Sequence, residues 1–158
     1  MVSQMRRAAA LVLVLAALIT MLTVSACSAQ LGNVYGVKIE ARGIAQKLPN
    51  GLVIPASLIV QGNVEQRDSF TVGGGRASLY VGGAAYVIPV NIQIQRSGTL
   101  QSIMIYGGSG SAYLYLSGVI MPDGSSVTLG GNLIVNKDNW ALSLSGKIEF
   151  SPPIITIP

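Results

Sequence analysis

The sequence predicts an all-β fold: an antiparallel β-sandwich, jelly roll or small barrel of about eight to ten strands, preceded by an N-terminal signal helix. Three observations carry this expectation. Apolar and polar residues alternate with a period of two along most of the chain, the spacing of a strand with one dry and one wet face. Clusters of Gly, Pro, Asn and Asp interrupt that alternation at short intervals, as chain reversals require. Hydrophobic residues make up 50% of the 158 and charged residues 10%, against about 25% charged in an average soluble domain, so there is a core to fill and only length enough for one.

The chain opens with Arg6 and Arg7 followed by an uncharged run from Ala8 to Val24 that ends in Ser25 and Ala26. A positive start, an apolar centre and small residues at the end are the marks of an export signal. The run is longer than most signal cores and shorter than most spanning helices, so its length alone does not separate removal from retention. Val24-Ser25-Ala26-Cys27 resembles the lipobox of prokaryotic lipoprotein precursors. That resemblance covers the first 27 residues only. It implies acylation of Cys27, cleavage before it and attachment to a membrane through an N-terminal lipid, and two acyl signals are what stable anchoring takes. It also gives the sole cysteine a use that no intramolecular disulfide could. Ordinary cleavage after Ala26 or Ala29, leaving a secreted protein, and an uncleaved single-span anchor are the alternatives. The chain then divides into a signal peptide at 1–26, a short tether at 27–33, one β-domain at 34–150 and a Pro-rich apolar tail or edge strand at 151–158.

Within the β-domain, Tyr35, Val37, Ile39 and Ala41 alternate with Gly36, Lys38, Glu40 and Arg42, and Val90, Ile92 and Ile94 with Asn91, Gln93 and Gln95. Leu114, Leu116 and Ile120 form a dry face opposite Tyr113 and Tyr115. Val127, Leu129, Leu133 and Val135 stand opposite Ser126, Thr128 and Asn132, and the series from Trp140 to Phe150 alternates without a break. The predicted reversals are Leu48-Pro49-Asn50-Gly51, Gly73-Gly74-Gly75, Arg96-Ser97-Gly98, Gly107-Gly108-Ser109-Gly110, Pro122-Asp123-Gly124 and Asn136-Lys137-Asp138-Asn139. From Ser102 onward their spacing implies consecutive hairpins or a meander. An apolar-x-Gly-x-apolar pattern recurs around Gly62, Gly118, Gly131 and Gly146, and glycine inside a strand marks a bend, a bulge or a close backbone approach.

Counting narrows the chemistry. With no histidine, a Ser-His-Asp relay and a His-containing zinc site fall away. Removing residues 1–26 leaves eight basic and six acidic side chains, a net of +2 against +4 for the whole chain, and these charges are scattered, which is not the footprint of a nucleic-acid binder. Glu65 and Asp68, in a charged stretch read as a loop between strands, are the best carboxylate pair or loose cation site on offer. Lys38, Lys47, Lys137 and Lys147 stand in no dyad motif with a serine. The glycine clusters open no helix that could cradle a phosphate.

The expectation is therefore a non-enzymatic exported protein of the cell envelope, lipid-anchored on the extracytoplasmic side or secreted. It would have no catalytic residue, metal or cofactor, and a structural, adhesive or partner-binding role. Tyr106, Tyr113 and Tyr115 are the candidate contact residues for an envelope protein or a carbohydrate, because a row of exposed rings can anchor a partner or stack on sugar faces. Alternatives are a carrier of a small apolar ligand in a barrel or curved sheet, a fibre subunit that lends its C-terminal strand to a neighbour, an integral outer-membrane barrel, for which several predicted strands look too short and aromatics too few, and a hydrolase using Glu65 or Asp68.

Overall fold

A computed structural model describes residues 33–153; Cys27, the signal segment and the last five residues lie outside the described residues. The chain forms eight strands: β1 (Val34–Leu48), β2 (Val53–Arg67), β3 (Phe70–Val81), β4 (Ala84–Ser97), β5 (Leu100–Ser109), β6 (Ala112–Ile120), β7 (Ser126–Val135) and β8 (Asp138–Pro153). Each pairs antiparallel with the next, and β8 returns to pair antiparallel with β1, so the ladder closes into an up-and-down barrel. Of the architectures the alternation allows, the small barrel with eight strands is the one adopted. The meander expected from Ser102 onward runs through the whole domain.

Two ends are defined by this winding. At the lower end β1 begins and β8 finishes, together with the β2–β3, β4–β5 and β6–β7 connections. At the upper end lie the β1–β2, β3–β4, β5–β6 and β7–β8 turns. Gly82 and Gly83, with φ of 55° and 89°, fill a two-residue hairpin loop whose left-handed geometry matches strand twist. Asn136 adopts φ 55° at the β7–β8 turn, the tolerance for which asparagine is favoured in reversals.

The interior is solid. Among the described residues twenty-six apolar side chains are buried and no polar or charged residue is. Ile39, Leu58, Leu79, Ile88, Ile105, Leu116 and Leu133 are among those almost wholly removed from water. This is how an eight-stranded barrel with inward aliphatics packs. Outside stand Lys38, Glu40, Arg42, Arg76, Lys147 and Glu149, all exposed. Strand length does not separate this barrel from a membrane-spanning one, as the sequence had implied. The strands run from 9 to 16 residues, which meets the length of about 9–11 that a spanning strand needs. The lumen differs from that of a membrane-spanning barrel, being filled with apolar side chains where the membrane arrangement has a polar interior, and the β1–β8 wall carries charges on its outer face.

Two predicted turns are strand. Gly73-Gly74-Gly75 lies within β3, and the reversals that flank it are Asp68-Ser69 and Gly82-Gly83. Gly107, Gly108 and Ser109 belong to β5, leaving only Gly110 and Ser111 as the turn. The glycines serve a different purpose. Gly43, Gly62, Gly75, Gly107, Gly118, Gly131 and Gly146 share the inward parity of the core residues, and a methyl group on any of them would overlap a backbone carbonyl of the neighbouring strand. At Gly118 the obstructing atom is the Thr128 carbonyl oxygen, and at Gly131 the Tyr115 carbonyl oxygen. Only hydrogen allows the backbones to come that close, which is how a narrow barrel turns its corners. The recurring apolar-Gly-apolar pattern is thus a curvature device, built into β2, β6, β7 and β8.

Candidate functional site

Alternation places the tyrosines. Leu114 and Leu116 are 2% and 0% exposed, so Tyr113 and Tyr115 between and beside them must face outward, and a slip of one residue would exchange the two sets. Tyr113 and Tyr115 are 60% and 48% exposed, and Tyr106 on β5 is 39% exposed. Tyr106 and Tyr115 are direct cross-strand partners, close enough for their side chains to meet. Tyr113 is opposite Gly108, and its ring covers that glycine so closely that a Cβ there would lie 2.7 Å from Cδ1. On the other flank Tyr113 faces Ile134 and Tyr115 faces Asn132 of β7. These six residues line a shallow depression of about 450 Å³ on the outer wall, near the upper end. The three candidate contact residues are therefore brought together on one surface.

A second depression, of about 320 Å³, lies beside it toward the lower end, lined by Gln93, Gln95, Ser102, Met104, Ser117 and Val119 among others. Alternation with Ile92 and Ile94 places Gln93 and Gln95 on the outer face, but nothing in it joins them to the tyrosines. The signal that could have joined Ser102, Met104, Ser117 and Val119 to the tyrosines is the run from Ser97 to Pro122, which contains no charged residue.

The carboxylates are engaged elsewhere. Glu65 lies on β2, in strand rather than loop, and accepts a hydrogen bond from Arg67 Nη2 at 3.1 Å. Asp68 sits in the β2–β3 turn with φ 31°. Lys38 Nζ is 2.6 Å from Glu40 Oε1; this hydrogen bond, reinforced by the opposite charges, raises the Lys38 pKa and lowers that of Glu40. Across the closing seam Lys38 is opposite Glu149 and Glu40 opposite Lys147, an alternating lattice of signs on the β1–β8 wall. Lys47 donates to Asp138 at 2.9 Å and lies 5.7 Å from the centre of the Trp140 ring, at the upper end. Among the described residues no group of three or more His, Cys, Asp or Glu is placed to hold a metal ion.

The lower end holds an open basin of about 390 Å³, where Tyr35, Phe70 and Phe150 meet Gln66, Arg96 and Gln101. It stops at the packed core, of which Val64 and Ile94 form its floor. The geometry thus offers two surfaces, a basin at one end and an aromatic wall on the side. Compared with known proteins, the chain matches no family model, no curated sequence and no solved structure.

Proposed function

We propose that this protein is a non-enzymatic binding module of the cell envelope, exported, held at a membrane by a lipid on Cys27, and using its solid barrel as a rigid scaffold for a contact surface on the outer wall. The observation that carries the reading is the grouping of Tyr106, Tyr113 and Tyr115, all well exposed, around one depression. Large rings left in water on a rigid sheet are the material of binding hot spots, because they lose little side-chain freedom when covered. Among the described residues the core holds no polar side chain, and close packing of that kind favours a contact surface held in its bound shape beforehand.

The carrier alternative would have to use the basin at the lower end, since the lumen is occupied by side chains. The segment that a fibre subunit would lend, 151–158, is described only as far as Pro153, at the end of β8, and the rest lies outside the described residues.

Two measurements test the proposal. Cells fed radiolabelled palmitate are expected to label the wild type but not Cys27→Ser; equal labelling of the two removes the tether. Isolated envelopes are expected to retain the Cys27→Ser protein, and Tyr113→Ala with Tyr115→Ala should weaken that retention about tenfold or more, as loss of two anchoring rings implies. Retention indifferent to the tyrosines would place the contact surface elsewhere.

A further inference from the structure

We infer that the wall formed by β4–β7 binds a neutral polysaccharide, laid along β5 and β6 across both depressions; this rests on the reading of the protein as a binding module and names the class of its partner. The first argument is charge. Between Arg76 and Lys137 the sequence contains two charged residues, Arg96 and Asp123, and both lie at the lower end, Arg96 in the basin and Asp123 in the β6–β7 connection. The outward faces of β4, β5, β6 and β7 carry none. The opposite wall holds Lys38, Glu40, Arg42, Lys147 and Glu149. A polyanion, or a protein surface studded with charges, would lose hydration against the β4–β7 wall and find no counter-charge there.

The second argument is shape. The two depressions share strands: Met104 and Tyr106 are two residues apart on β5, and Ser117 and Tyr115 two apart on β6. Together they make one strip from Ser102 and Val119 to Gly108 and Tyr113. At about 3.3 Å per residue the strip is roughly 20 Å long, room for several sugar units end to end.

The third is chemistry. A neutral sugar has an apolar C–H face and a rim of hydroxyls that both donate and accept. The wall offers tyrosine ring faces, which are apolar, and the amides and hydroxyls of Gln93, Gln95, Ser102, Ser117 and Asn132, which also donate and accept. A second copy of the chain fits less well. The centre of a homodimer contact is predominantly apolar and poor in serine, whereas here amide and hydroxyl groups are spread along the whole strip.

The test is affinity electrophoresis of the full-length chain, kept in mild detergent, through gels containing hydroxyethylcellulose, mannan or starch, with polygalacturonate as the charged comparison. Retardation is expected in at least one neutral polymer and not in polygalacturonate. Tyr113→Ala with Tyr115→Ala should weaken the neutral interaction about tenfold or more. Tyr115→Phe, which keeps the ring, should stay within about threefold, and Arg42→Ala on the opposite wall should match the wild type. A readout free of any folding defect is protection of the wild type from tyrosine nitration: the retained polymer should shield Tyr106, Tyr113 and Tyr115 while Tyr80 on β3, 46% exposed, stays reactive. Passage through all three neutral gels without retardation overturns the inference, as does equal retardation by polygalacturonate or shielding of Tyr80 alone. A dimer in sedimentation that the double tyrosine variant splits would assign the wall to a second copy instead. If envelope retention depends on the tyrosines while no neutral polymer is bound, the binding module stands and its partner is not a neutral glycan.

Discussion

Asp123 shows how much one exposed carboxylate can organise. Its Oδ1 accepts hydrogen bonds from the Ser125 and Ser126 amides at 2.9 Å each, and its Oδ2 accepts one from the Ser126 hydroxyl at 2.7 Å. Led by the Ser126 amide, these donors favour the charged form and pull its pKa from 3.8 down to about 2. The folded value lies below the unfolded one, so the contribution to stability is complete above pH 3.8 and disappears as the pH falls through about 2. In a carboxylate NMR titration of the folded protein, Asp123 is expected to show a midpoint near 2, with the Ser125 and Ser126 amide shifts following it. A midpoint at the ordinary value, or serine amides that do not move, would remove this cap. Pro122-Asp123-Gly124 was legible as a reversal because Asp and Gly are turn formers; the three bonds to one side chain were not, since they depend on where two later residues fall.

At the scale of the strand, adjacent glycines make opposite predictions. Gly130 faces outward, and an added Cβ would lie 3.8 Å from the Leu142 carbonyl oxygen, an ordinary contact. Gly131 faces inward against the Tyr115 carbonyl oxygen and has no room. In chemical unfolding, Gly130→Ala is expected to change stability by no more than about 0.5 kcal/mol, while Gly131→Ala should cost about 2 kcal/mol or more, because two backbones must separate. Equal effects would contradict the assignment of inward glycines to barrel corners. The same contrast explains what could be read in advance. Leu116-Ser117-Gly118-Val119-Ile120 is legible as a bent strand, because its flanking leucine and isoleucine fix the parity. Gly73-Gly74-Gly75 has no side chain to show a period, so it read as a turn. Pro55 and Pro89 also lie inside strands, each next to the last paired residue on one side, Ala56 opposite Val81 and Val90 opposite Gly107, where the ladder no longer calls for an N–H.

For the whole molecule the decisive contact is the seam between β1 and β8. Nothing local encodes it: Ile39 and Ile148 are partners more than a hundred residues apart, and alternation in each strand suits a sandwich as well as a barrel. Strand type and the outward tyrosines were therefore readable, whereas closure and the joining of the tyrosines to Gln93, Gln95 and Ser117 were not. Because a closed ladder has no edge, backbone amides of Ile39 and Leu144 should exchange with solvent as slowly as those of Ile92 and Ile105, all through global unfolding. Faster exchange confined to β1 and β8 would mean that the seam opens by itself.

That seam also fixes how the domain bears load. β1 is bonded along nearly its whole length to β2 on one flank and to β8 on the other, and the chain enters it at the lower end. Were the domain pulled through the start of β1 while its outer wall was held, both rows of bonds would be loaded at once and would shear together rather than unzip one at a time. A stranded cylinder held in this way resists pulling far better than one peeled from a hairpin tip.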